Sequence, residues 1–246
     1  GGSAAYSGIA ASFFSPVEIV GVVGGDYPQE FLDYLKSRNI DTTGVEVVPS
    51  GKTFHWSGHY EFDLNIAHTL DTELGVFGEF KPKLPPQYKD AEYVFLANIQ
   101  PDLQLEVLDQ IKSPKLVVCD TMNYWIDSKQ EKLWEVLKRV DIAFLNDAEA
   151  RQLTGKMSTI SAAKAILANG PKLGVIVKKG EHGALMFTQD GGHFSAPSYP
   201  IEEIADPTGA GDSFAGGFIG YVASKGNLSA STLRLGIIYG SVMASY

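Results

Sequence analysis

The sequence predicts an α/β fold in which helices cover both faces of a largely parallel sheet, with a small β-rich lid to one side. Two observations carry the sheet. Residues 93–97, 116–119, 142–145 and 173–177 are short, unbroken apolar runs, and the stretches between them are long enough to hold helices. Strands buried on both faces read as continuous apolar runs because neither face meets water. A third observation carries the lid: between 45 and 80, three short strand-like segments follow one another across polar and turn-forming residues.

Taken in order, residues 3–14 are small and enter from a glycine turn, which predicts a helix, and 17–23 form an apolar strand. Gly24-Gly25 supplies a turn, and 26–39 places Phe31, Leu32 and Leu35 at helical spacing. Strands are then expected at 45–48, 53–60 and 74–77. Trp56, His59, Asp63 and Asn65 are more polar or amphipathic than a core strand needs, so this portion reads either as a lid over a ligand or as a surface hairpin. Leu84-Pro85-Pro86 breaks the pattern, after which strands and helices alternate as βαβ units. A helix is expected after Asp212 and another from Ala230 onward. No repeat or low-complexity linker divides the chain, so the expected organisation is a core of 1–44 and 81–246 with a lid at 45–80.

The chain has 246 residues, 44% hydrophobic and 20% charged, which is the composition of a globular protein with a sizeable core. Twenty basic against twenty-nine acidic side chains give a net charge of -9. That balance argues against broad binding to nucleic acid or an anionic membrane, yet leaves room for a phosphorylated ligand held by backbone amides, a few lysines and a cation. Cys119 is the only cysteine, so no internal disulfide forms, and it reads as buried packing. No basic leader with an apolar stretch is present, and no apolar run reaches the roughly 18 residues of a bilayer span, so a cytoplasmic location is expected. Both ends, Gly1 and a helical stretch closing at Tyr246, read as cut, and a missing first strand or last helix would take core and site residues with it.

The most informative run is Asp206-Pro207-Thr208-Gly209-Ala210-Gly211-Asp212-Ser213-Phe214. Pro207 restrains the approach, Gly209 and Gly211 permit unusual backbone geometry, and a helix beginning here leaves unpaired N–H groups that attract an anion. Two readings of Asp212 stand at this point. It caps the helix, or it accepts a proton from an attacking alcohol beside the anion site. Asn146-Asp147-Ala148-Glu149 follows an apolar strand, where ligands bind in open α/β sheets, although carboxylates there also favour the helix dipole. Gly51-Lys52-Thr53 imitates the end of a phosphate-binding loop, but the preceding Gly44 leaves too many residues between them.

The 206–214 run closely resembles the C-terminal signature of the PfkB, or ribokinase-like, carbohydrate and nucleoside kinases. Gly1-Gly2-Ser3-Ala4-Ala5 resembles that family's early glycine-rich sugar-site element, and the two occur in the family's order along nearly the whole chain. The resemblance implies a three-layer α/β/α sandwich with a small β-sheet lid. It also implies ATP-dependent phosphorylation of a hydroxyl on a small sugar, with a nucleoside as the alternative acceptor and a noncatalytic nucleotide- or sugar-binding protein as the contrasting class. Asp212 would be the general base, and the amides of Gly209, Ala210 and Gly211 the anion hole. Asn146 and Glu149 match the family's Asn-x-x-Glu element, which would organise Mg2+ through water near the nucleotide. Lys178, Gly180 and Gly183 match its ATP-side loop, while Gly1 and Gly2, with Asp212, would meet the acceptor. Asp120 and Asn123 resemble a strand-end element bordering the transfer centre. A monovalent cation is a further family expectation, and a homodimer through an unpaired lid edge follows from the way open edges recruit strands.

Overall fold

A computed structural model describes residues 2–60 and 67–246, beginning with helix α1 (Ser3–Ser12), strand β1 (Val17–Gly24), helix α2 (Gln29–Ser37) and strand β2 (Ile40–Val48). β1 and β2 pair in parallel from Val17 beside Ile40 to Gly24 beside Val48, as strands joined through a helix must. Strands β3 (His55–Tyr60) and β4 (Ala67–Glu73) form a separate antiparallel pair. Trp56 ties them together, its indole Nε1 donating to Thr69 Oγ1 at 3.0 Å.

The remaining chain builds the main sheet. Strand β5 (Tyr93–Leu96), helix α3 (Pro101–Leu108), strand β6 (Leu116–Cys119) and helices α4 (Asn123–Ser128) and α5 (Gln130–Leu137) lead to β7 (Ile142–Asn146). Helices α6 (Asp147–Thr154) and α7 (Thr159–Asn169) follow, then β8 (Gly174–Lys178), β9 (Ala184–Thr188) and β10 (His193–Ala196), and finally α8 (Ala210–Lys225) and α9 (Ala230–Met243). The six strands are ordered β10-β9-β8-β7-β6-β5, with β5 to β8 parallel to one another and β9 antiparallel to both of its neighbours, β8 and β10.

Alternation along the buried strands explains the three layers. Val117, Cys119, Ala143, Leu145, Val175 and Val177 pack on one face with Leu133 of α5, Leu153 of α6 and Ile166 of α7. Leu116, Val118, Ile142, Phe144 and Ile176 point to the other, where Phe214 and Phe218 of α8 and Ile237 of α9 cover them. The Phe144 ring meets Phe214 and Phe218 edge-on, with centroids 5.6 and 5.3 Å away, the favourable geometry for aromatic quadrupoles. Helix α8 is buried from Phe214 to Val222 because α1 and α9 flank it. At Gly216 a side chain would collide with the Ser7 carbonyl oxygen, so the close seating of α1 on α8 requires glycine there.

Two expectations for 45–80 are corrected. Residues 45–48 are the end of β2, paired with β1 rather than with the β3–β4 hairpin. Residues 74–77, expected as a strand, fall in a 3-10 turn, Gly75–Glu79: Gly75 takes a φ of 50°, and Val76 N–H donates to Lys52 O at 2.8 Å instead of to a strand partner. Asp63 and Asn65 lie outside the described residues, as does Gly1. Among the described residues no helix is long and apolar enough to cross a membrane.

Candidate active site

The carboxyl ends of β6, β7 and β8 lie side by side, and the sequence places a polar residue at each: Asp120 just after β6, Asn146 at the end of β7, Lys178 at the end of β8. Asn146 and Lys178 are register partners across β7 and β8. The start of α8 completes the site, because charge from Asp212 reaches Lys178 and charge from Asp120 reaches Asp212.

Gly209 is the N-cap of α8 in a left-handed conformation, φ 81° and ψ 0°, and a Cβ on it would lie 2.6 Å from the Tyr6 ring. Both facts call for glycine. Upstream, Thr208 N–H donates to Asp206 Oδ1 at 2.9 Å, which sets the turn leading into the helix. Of the three amides expected to form an anion hole, that of Ala210 is turned to the Pro207 carbonyl at 3.1 Å. The N–H groups of Gly209 and Gly211, and that of Asp212, take no backbone acceptor among the described residues. These are the orphan donors a helix start leaves, and they carry the positive end of the dipole.

Asp212 is the third residue of α8, and no side-chain cap hydrogen bond is made at Gly209, so the carboxylate does not cap the helix by hydrogen bonding and instead meets Ser3. Burial raises its pKa to about 6, and the neighbouring Asp120 adds to the rise, while Lys178 and a hydrogen bond with Ser3 pull it back. A carboxylate so tuned is ionised at neutral pH yet takes a proton far more readily than an exposed aspartate.

Lys178 Nζ lies 2.8 Å from Asp120 Oδ2, with the two side chains 18% and 6% exposed. Asp120 Oδ1 accepts from Thr121 N–H at 3.0 Å, so both its oxygens are held. Burial works against the Lys178 charge, but Asp120, Glu149 and Asp212 outweigh it and the pKa rises. Glu149 is buried, and desolvation raises its pKa, with Lys178 opposing. Asn146 and Glu149 form a reciprocal capping box at the start of α6: Glu149 N–H donates to Asn146 Oδ1 at 2.8 Å, and Asn146 N–H to Glu149 Oε2 at 2.7 Å.

Gly180 and Gly183 bracket a 3-10 turn after β8 with φ of 53° and 80°, and a side chain on Gly183 would strike the Ala196 carbonyl oxygen. Gly2, with φ 93°, caps α1 and accepts from Ala5 and Tyr6 N–H through its carbonyl. Sequence reasoning missed Ser3 and Tyr6, which α1 brings onto Asp212 and Gly209. Ser3 stands in the Gly-Gly-Ser element already singled out; Tyr6 carries no local signal. It also missed Tyr60 at the end of β3, whose hydroxyl is 3.3 Å from Thr208 Oγ1 and joins the hairpin to the site loop. Cys119 is buried, as expected, and burial pushes its thiol pKa up.

A family model described as pfkB family carbohydrate kinase matches residues 1–246. A cytidine kinase of Thermococcus kodakarensis is 36% identical over 245 residues, which span 96% of this chain and 84% of that protein. Among solved structures, a nucleoside kinase of Burkholderia thailandensis in complex with inosine superposes with a TM-score of 0.81 at 20% identity, covering 100% of this chain and 78% of that one. A candidate ribokinase II of E. coli in complex with ATP and Mg2+ gives a TM-score of 0.79 at 22% identity, covering 100% and 82%.

Proposed function

This chain belongs to the pfkB family of carbohydrate kinases and is an ATP-dependent phosphotransferase, and from that premise we propose that Asp212 is the general base for phosphorylation of a sugar hydroxyl. The observation that carries the reading is a carboxylate of raised pKa in the first turn of a helix whose neighbouring amides are open. As the acceptor oxygen approaches the γ-phosphorus of ATP, its proton becomes acidic and passes to Asp212. Charge that develops on the transferring group falls toward the amides of Gly209 and Gly211, with Ala210 shaping the turn between them. We assign Gly180 and Gly183 with Lys178 to the ATP side and Gly2 to the acceptor side, the role that the family resemblance also implies for Gly1.

Mg2+, when bound, would neutralise the nucleotide phosphates and orient them. The residues present fit a hydrated ion. Glu149 commits Oε2 to the helix cap, leaving Oε1 for an ion's water, and no group of three or more His, Cys, Asp or Glu side chains forms a direct cage among the described residues. We assign Asn146 and Glu149 this role through water. The same proposal includes a lid made of the β3–β4 hairpin within 45–80, a monovalent cation, a homodimer through the lid edge and a cytoplasmic setting.

Two acceptor classes remain in play, a free sugar and the ribose of a nucleoside. Resemblance to the T. kodakarensis cytidine kinase is compatible with the second. Mg-ATP-dependent ADP formation across a panel of sugars and nucleosides, with product mass measured, tests both. One acceptor gaining a single phosphoryl group identifies the class. A folded, nucleotide-binding protein that makes no acceptor-dependent product contradicts the kinase assignment in favour of a binding role.

A further inference from the structure

The Asp120–Lys178 pair takes no part in the proton transfer assigned above, yet it stands beside the place where the phosphoryl group moves. A methyl group built on Gly211 would lie 3.1 Å from Lys178 Nζ and 3.8 Å from its Cε. The ammonium therefore rests against the glycine whose amide is open. It is also the one cation among the described residues whose charge acts on both Asp212 and Glu149. When Asp120, Glu149 and Asp212 are all ionised, a single ammonium faces three carboxylates, and an arriving phosphoryl group needs that positive charge to enter.

Donor count separates this arrangement from a simple buried ion pair. An ammonium carries three N–H donors, and among the described residues Asp120 Oδ2, at 2.8 Å, is the one acceptor it meets. The other two donors are uncommitted there, and Gly211 is the glycine against which the ammonium rests. Asp120 in turn is fixed through both oxygens and is almost wholly buried, so it aims the lysine rather than following it.

Resting on the phosphotransferase reading, we propose that Lys178 is a catalytic residue whose ammonium contacts a non-bridging oxygen of the transferring phosphoryl group, and that Asp120 is the positioning residue that holds it there. In the step, the acceptor oxygen forms a bond to the γ-phosphorus while the bond from that phosphorus to the bridging oxygen of ADP breaks. The electron pair of the broken bond leaves with ADP, and the acceptor proton goes to Asp212. Lys178 transfers nothing; it stabilises charge on the group in flight.

The test uses the whole chain and three variants, Lys178→Met, Lys178→Arg and the double change Lys178→Met with Asp120→Asn, which removes both charges of the pair and so spares Asp120 from being buried as an unpaired carboxylate. Turnover is measured with Mg-ATP and the acceptor found by the panel. ADP binding is measured with and without fluoroaluminate, which imitates the transferring group. Lys178→Met is expected to lower kcat by roughly 100- to 1000-fold, the usual loss on deleting one such donor. Lys178→Arg should recover part of it. Both the single Met variant and the double variant should bind ADP as the parent does, yet lose the tightening that fluoroaluminate and acceptor bring. Retention of that tightening by the folded double variant, or equal loss of plain ADP affinity, overturns the role of Lys178 while leaving the kinase reading intact. Absence of any phosphorylated product from the parent overturns both.

Discussion

The proposed base role concentrates the chemistry in one side chain, Asp212, whose environment makes predictions in two directions. Its raised pKa, about 6, predicts that kcat/KM rises with pH as the carboxylate loses its proton and levels off above that value. A profile flat from pH 5 to 8 contradicts a base with this affinity. The same shift bears on stability with the opposite sign. A carboxylate whose folded pKa lies above its unfolded 3.8 stabilises the fold below that lower value, and this contribution is lost as pH rises through about 6. Asp212→Asn lacks the charge that is costly to bury. The variant should therefore melt higher than the unliganded parent at neutral pH, with the gap closing below about pH 4; a parent that melts higher at neutral pH contradicts the direction. In the sequence, Gly209 and Gly211 left Asp212 open to capping or catalysis, and it was the family resemblance of the 206–214 run that pointed to Asp212 as the proposed base. Its partner Ser3 was not assigned a role, because a hydrogen bond across more than 200 residues leaves no local pattern.

At the scale of elements, the strands were legible because 116–119, 142–145 and 174–177 are apolar on both sides, as burial between two helical layers demands. Helix α8 was legible at its start and obscure along its length: it is flanked by α1 and α9, so it lacks the polar stripe that marks a surface helix. Small residues there read as permissive, whereas Gly216 is required by the Ser7 carbonyl of α1. Gly216→Val should lower stability by about 1–3 kcal/mol, the usual consequence of overpacking a close seam, measured as a denaturant midpoint. Because α1 also carries Ser3 and Tyr6, the surviving folded protein should lose turnover as well. Unchanged stability would mean that α1 does not sit on α8 as described. The segment 74–77 was misread because its apolar residues match a strand, while the positive φ of Gly75 turns the backbone away from one.

On the scale of the whole molecule, the candidate site lies where four separately built parts meet: the carboxyl edge of the parallel sheet, the start of α8, the start of α1 and the β3–β4 hairpin. The first two follow from strand and glycine patterns. The hairpin's approach depends on Tyr60 reaching Thr208, a contact between residues 148 apart that no spacing rule anticipates. Tyr60→Phe removes the hydroxyl and keeps the ring. With the hairpin acting as the proposed lid, the expected outcome is a raised KM for the acceptor and a larger share of ATP hydrolysed without it, since a lid that closes less often admits water. Equal coupling of ADP to phosphorylated product in both proteins would separate the hairpin from closure.

The central claim, that Asp212 deprotonates the acceptor during phosphoryl transfer, is tested most directly by comparing acceptor-dependent product formation in the parent and in folded Asp212→Asn, with nucleotide binding measured on both. The account predicts similar Mg-ATP affinity and a turnover lowered by roughly 100- to 10,000-fold, the range general bases supply. Equal turnover by the two proteins would contradict it.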